Sequence, residues 1–88
     1  YAEPERTSLS SDRLLRMFKE SIISFASAEN LIVIKTSSGT ASAVGEAIDG
    51  LNWNDVLGTV AGDNTILVIA SSKKVVRDVM RRFEEIMR

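Results

Sequence analysis

The sequence predicts a two-layer α+β domain of order ββαββα, a four-stranded antiparallel sheet with helices packed on one face, preceded by a short leading helix. Three observations predict it. Two pairs of short apolar runs, rich in Ile, Val and Phe, are each joined by a tight polar turn. A helix-forming segment follows each pair. The chain has 88 residues, 44% hydrophobic and 26% charged, the balance of one small globular domain.

The elements follow in chain order. Tyr1 to Ser10 reads as an interdomain linker remnant, with Pro4, Thr7, Ser8 and Ser10 and no periodicity. The domain proper is expected over residues 11–88. Ser11 or Asp12 caps a short helix whose apolar positions are Leu14, Leu15 and Phe18, ending near Glu20. Ser21 to Ala28 and Leu31 to Thr36 form a hairpin about Glu29-Asn30. Ser37 to Thr40 caps a helix reaching Asp49, with Gly50 placed to end it in the left-handed conformation. Val56 to Gly62 and Thr65 to Ser71 form a second hairpin about Asp63-Asn64, a pair tolerant of positive φ. Lys73 to Met87 is a final helix with an apolar stripe of Val76, Val79, Met80, Phe83, Ile86 and Met87. The two ββα units echo each other, without a repeat in sequence.

Composition narrows the function. There is no Cys and no His. Disulfides, thiolate chemistry, a Ser-His-Asp triad and a Cys/His zinc site are therefore excluded within this chain. An enzyme made of this chain alone is disfavoured, and neither metal nor cofactor is expected. No apolar run approaches the roughly 20 residues that span a bilayer, and no membrane partner is expected. The formal net charge is −1, lacking the basic excess usual in nucleic-acid-binding domains. A chain beginning at Tyr1 reads as a fragment of a longer protein, which leaves room for a DNA-binding half outside it.

Charge distribution says more than its total. From Thr36 to Ser72 there is no Lys or Arg, while Glu46, Asp49, Asp55 and Asp63 fall within that segment. Chance and solvation account for this, and so does a pocket awaiting a cation. Asp49 stands at the end of its helix, where the dipole disfavours an anion. Gly62-Asp63-Asn64-Thr65 is on its own pattern a hairpin turn. Gly45, inside a helix of small residues, costs about 1 kcal/mol relative to Ala and permits close approach of backbone or ligand. Lys73-Lys74 and Arg81-Arg82 read mainly as a solvated face with Asp78–Arg82 and Arg81–Glu85 ion pairs. Trp53, the single Trp, reads as a core plug.

Both alternating sets of Leu31-Ile32-Val33-Ile34 and Ile66-Leu67-Val68-Ile69-Ala70 are apolar. A monomeric sheet with helices on one face should be polar on the other. At about 25 cal/mol per Å², leaving the second face wet forfeits several kcal/mol. An oligomer packing sheet on sheet resolves this. So does coverage by the first helix and linker.

Three stretches carry a family resemblance. Leu31-Ile32-Val33-Ile34-Lys35-Thr36-Ser37-Ser38-Gly39 resembles a stretch ending Thr-Xaa-Xaa-Gly. Ile48-Asp49-Gly50-Leu51 is similar to Leu-Asp-Xaa-Leu. Gly58-Thr59-Val60-Ala61-Gly62-Asp63-Asn64-Thr65 resembles Gly-Thr-(Ile/Val)-Ala-Gly-Asp-Asp-Thr. With Tyr1-Ala2-Glu3-Pro4 similar to the linker, these match the bacterial arginine repressor family over nearly the whole chain. The resemblance implies a winged-helix DNA-binding domain preceding this one, operator DNA contacted only through it, and trimers that stack as hexamers. It implies L-arginine as co-repressor at the seam between trimers. By resemblance Asp63 is the main acidic ligand, Asn64 replaces a second Asp, Asp49 lines the site, Thr59 and Ala61 border it, and Ala41 and Ser42 match an Ala-Gln or Ala-His pair. Ser42 is shorter than the usual residue, so that contact is expected through water. The competing readings are a ligand-free structural trimerisation module and an amino-acid-sensing domain of a metabolic enzyme, whose usual order is βαββαβ.

Overall fold

The computed structural model describes residues 15–87. The linker (1–10), the expected cap at Ser11 or Asp12, and Leu14 lie outside the described residues. Residues 15–21 are helical (α1). They are followed by β1 (Ile22–Ala28), β2 (Leu31–Thr36), α2 (Ala41–Gly50), β3 (Val56–Ala61), β4 (Thr65–Ala70) and α3 (Val76–Met87). The expected ββαββα order behind a leading helix is what forms.

All three strand pairings are antiparallel and the sheet order is β1-β2-β4-β3. The two hairpins thus meet along β2 and β4, leaving β1 and β3 as edges. Each edge strand carries a register shift near its start, between Ile22 and Ser24 and between Val56 and Gly58. The residue inside each shift is a large exposed hydrophobic, Ile23 (71% exposed) and Leu57 (69%). The echo between the ββα units is therefore structural even where the letters differ.

Period-two alternation decides the faces. Ile32 and Ile34 of β2 and Ile66, Val68 and Ala70 of β4 are buried in one cluster with Val44 and Ile48 of α2 and Val76, Val79 and Phe83 of α3. Phe83 is the hub. Its ring stacks on Phe25 at 6.0 Å and lies 6.0 Å from Phe18 and 5.2 Å from Trp53. Trp53 is half-buried against this core rather than fully enclosed.

Phe18 settles where α1 packs. It is fully buried against Phe83, so the described part of α1 adds to the helix layer. It does not cover the opposite sheet face; the linker, the other part of that alternative, lies outside the described residues. On that face the register aligns Ala28, Leu31, Ile69 and Gly58 in one row and Ala26, Val33, Leu67 and Val60 in the next. Neither row contains a polar side chain. Leu31, Val33, Leu67 and Ile69 are half-buried, and Val60 is 61% exposed.

Three local expectations are corrected. Gly50 does not end α2 in the left-handed region. The helix runs through Gly50, Leu51 is still right-handed at φ −70, and Asn52 takes positive φ (56). Asn tolerates that conformation as the nearest substitute for Gly. Thr40 is the N-cap residue but makes no side-chain cap bond. Its hydroxyl donates to the Ser37 carbonyl at 2.8 Å, within a turn in which Gly39 has φ 82. Neither Asp63 nor Asn64 has positive φ. Ala61 pairs with Ile66 and the Gly62 amide donates to the Thr65 carbonyl at 2.9 Å, so the hairpin still closes across the two expected residues, Asp63-Asn64, without the positive φ.

Candidate functional site

α2 has two working stripes. Ala41, Val44, Gly45 and Ile48 are buried on the core side. Ser42, Gly45, Glu46 and Asp49, at helix spacings of three and four, line a cavity of about 290 Å³ closed on its other side by Thr59 and Ala61 of β3. Thr59 pairs with Val68 and Ala61 with Ile66, both buried residues, so the same alternation that builds the core turns Thr59 and Ala61 toward α2.

Gly45 makes this approach possible. A β-carbon there would stand 3.4 Å from the Ala61 β-carbon and 3.4 Å from Thr59 Oγ1. Thr59 Oγ1 donates to Asp49 Oδ1 at 3.1 Å, with the Gly45 carbonyl at 3.4 Å as a second acceptor within reach. The hydroxyl thus fixes the Asp49 carboxylate against the end of α2. Among the described residues, no Lys or Arg forms an ion pair with Asp49, Glu46 or Asp63. An anion at a helix C-terminus without a cation is unfavourable by about 0.3–1 kcal/mol, a term that a bound cation reverses.

Six of the seven resemblance-derived residues fall into two groups, while the side chain of the seventh, Ala41, is fully buried in the core and lines neither. Asp49, Thr59, Ala61 and Ser42 meet around the cavity. Asp63 and Asn64 lie at the other end of α2. The Asp63 carbonyl accepts from the Gly39 amide at 3.0 Å and the Ala41 amide at 3.4 Å, and the Asn64 carbonyl accepts from Thr36 at 2.8 Å. The backbone of the loop is therefore sewn to the start of α2. The Asp63 side chain is left exposed, and Asn64 Oδ1 accepts from Thr65 at 3.1 Å. From Ala41 to Asp49 the helix rises about 12 Å at 1.5 Å per residue. Within one chain, Asp63 and Asp49 flank opposite ends of a strip and do not converge on one point.

Two features escaped sequence reading. Glu46 lines the cavity, and its place four residues after Ser42 and three before Asp49 was the available signal. A larger adjoining groove of about 630 Å³ shares Asp49 and Thr59 and adds Asn52, Trp53 and Leu57 among its walls. It forms at the α2–β3 loop, whose shape depends on long-range contacts that spacing does not encode.

A family model described as Arginine repressor, C-terminal domain, matches residues 18–85. Curated relatives named Arginine repressor share 47% identity over 77 residues in Thermoanaerobacter sp. (strain X514), covering 88% of this chain and 51% of that protein. The relative from Moorella thermoacetica (strain ATCC 39073 / JCM 9320) is 50% identical over 74 residues, covering 84% and 49%. That from Carboxydothermus hydrogenoformans (strain ATCC BAA-161 / DSM 6008 / Z-2901) is 44% identical over 89 residues, covering 99% and 59%. The chain spans about half the length of the curated relatives it matches.

Proposed function

The chain belongs to the arginine repressor family through its C-terminal domain, and from that premise we propose that it senses L-arginine and assembles a transcriptional repressor of arginine metabolism in the cytoplasm. Operator DNA is contacted by a separate N-terminal domain of the whole protein. The observation that carries the reading is the Asp49 carboxylate, held by Thr59 in a cavity with Glu46 and Ser42 and without an ion-pair partner among the described residues.

Arginine offers a planar guanidinium with five donors, an ammonium and a carboxylate. Its cationic groups suit acidic acceptors, and a carboxylate engages a guanidinium through two parallel bonds. Asp49 supplies one anion at the cavity. Asp63, exposed some 12 Å of helix away, supplies a second that is free to meet a ligand held by another copy. Stacked trimers bring acidic loops together, and a cation at the seam relieves their repulsion. Ligand affinity is linked to assembly by the difference in affinity between assembled and open states.

The apolar rows on the open sheet face support self-association, because contiguous apolar surface of this kind marks an interaction site. They alone favour the second reading, a structural trimerisation module without ligand. Arginine titration by calorimetry separates the two. On the first reading the wild-type chain binds arginine, lysine binds at least tenfold more weakly for want of the bidentate fork, and Asp63→Ala abolishes binding while leaving the fold intact. Wild-type affinity in Asp63→Ala refutes its assignment as a ligand.

A further inference from the structure

Arg82 lies on α3, outside the cavity walls, yet its contacts converge on the α2–β3 loop. Its Nη2 donates to Asp55 Oδ2 at 2.8 Å and to Asp78 Oδ2 at 2.6 Å. Its guanidinium carbon stands 5.1 Å from the centroid of the Trp53 ring. The side chains of Arg82, Asp55 and Asp78 are each about one-third exposed, so the pairs are screened less than fully solvated ones. Trp53 in turn rests on Phe83 and lines the groove that shares Asp49 and Thr59 with the cavity. The loop has few other ties: the Val56 amide to the Trp53 carbonyl at 3.1 Å and the Ser71 amide to the Asp55 carbonyl at 2.8 Å.

We infer that Arg82 is a positioning residue for the arginine site. By holding the Asp55 carboxylate and covering the Trp53 ring, it fixes the loop wall against which Asp49 and Thr59 are set. Arg suits this place because its Nη2 donates to both carboxylates while the flat guanidinium stands over the Trp53 ring. The pairing with Asp55 also keeps a loop carboxylate neutralised beside the groove, so that Asp49 is the anion left to the ligand. This inference rests on the reading of the cavity around Asp49 and Thr59, which the groove adjoins, as the arginine site.

The two ion pairs of Arg82 make the test specific. Asp78→Asn breaks the pair within α3, whereas Asp55→Asn breaks the pair that crosses to the loop. In the 88-residue chain, Asp55→Asn is expected to weaken L-arginine binding about fivefold, within the range by which residues without ligand contact modulate affinity. Trp53, the single Trp, reports the loop directly: Asp55→Asn and Arg82→Met raise its quenching by acrylamide, and Arg82→Lys restores part of the protection. Asp78→Asn leaves both affinity and quenching near wild type. Unchanged affinity in Asp55→Asn, or equal losses in Asp55→Asn and Asp78→Asn, overturns the inference while the arginine reading stands. A wild-type chain that binds no arginine defeats that reading, and the inference falls with it.

Discussion

Replacing Gly45 with Ala should make the domain more stable and a poorer ligand binder at the same time. Gly in a helix interior is about 1 kcal/mol less favourable than Ala. The added β-carbon would meet Ala61 and Thr59 Oγ1, both at 3.4 Å, which is close but within van der Waals contact, so little of that gain is lost. A net gain of about 0.5–1 kcal/mol raises Tm by roughly 4 °C in a domain this size. The same methyl group enters the cavity wall and crowds the hydroxyl that fixes Asp49. Arginine affinity should fall about tenfold, an expectation close to 1.4 kcal/mol. Thermal denaturation without ligand and calorimetry with L-arginine measure the two effects separately. A Tm lowered by several degrees would show that α2 and β3 have no room for the methyl. Unchanged affinity would show that the cavity does not hold the ligand.

Two further outcomes follow from other parts of the molecule. Val60→Asp places a charge in an apolar row of the open sheet face, at a position 61% exposed in the single chain; sedimentation should show monomers with unchanged circular dichroism, and an intact oligomer would exclude that face from the interface. Arg82, chiefly through its hydrogen bond, holds the Asp78 carboxyl below the usual carboxylate range. A depressed folded pKa contributes stability that is present above the unfolded value of about 3.9 and is lost as pH falls through the folded one. Acid titration of wild type and Asp78→Asn should therefore diverge above pH 4 and converge below it, and parallel curves would refute the pairing.

The fold was largely legible because its signals are local. Alternation in β2 and β4 and the stripe of α3 each reflect burial on one face, which a short window of sequence records. Gly45 was legible for the same reason, since a small residue in a helix interior needs a close neighbour. The helix end was misjudged because Gly50 and Asn52 both tolerate special backbone geometry, and the Leu51 and Asn52 amides go on donating to the Ile48 and Asp49 carbonyls, at 3.0 and 3.2 Å, which carries the turn to the later stop. The expected Arg81–Glu85 pair is replaced by Arg81 with Asp78, as side chains on one turn choose among several partners of similar energy. The Arg82–Asp55 pair joins residues 27 apart and needed the three-dimensional path. Asp63 and Asp49 share a family motif set, yet α2 holds them at opposite ends. On the proposed function their cooperation belongs to the assembly and not to one chain.

Sedimentation equilibrium of the 88-residue chain, with and without L-arginine, bears most directly on the proposed link between ligand and assembly. Without arginine the mass should correspond predominantly to trimers, and saturating arginine should shift it to six copies. An identical mass in both conditions, or a monomer throughout, would contradict that link.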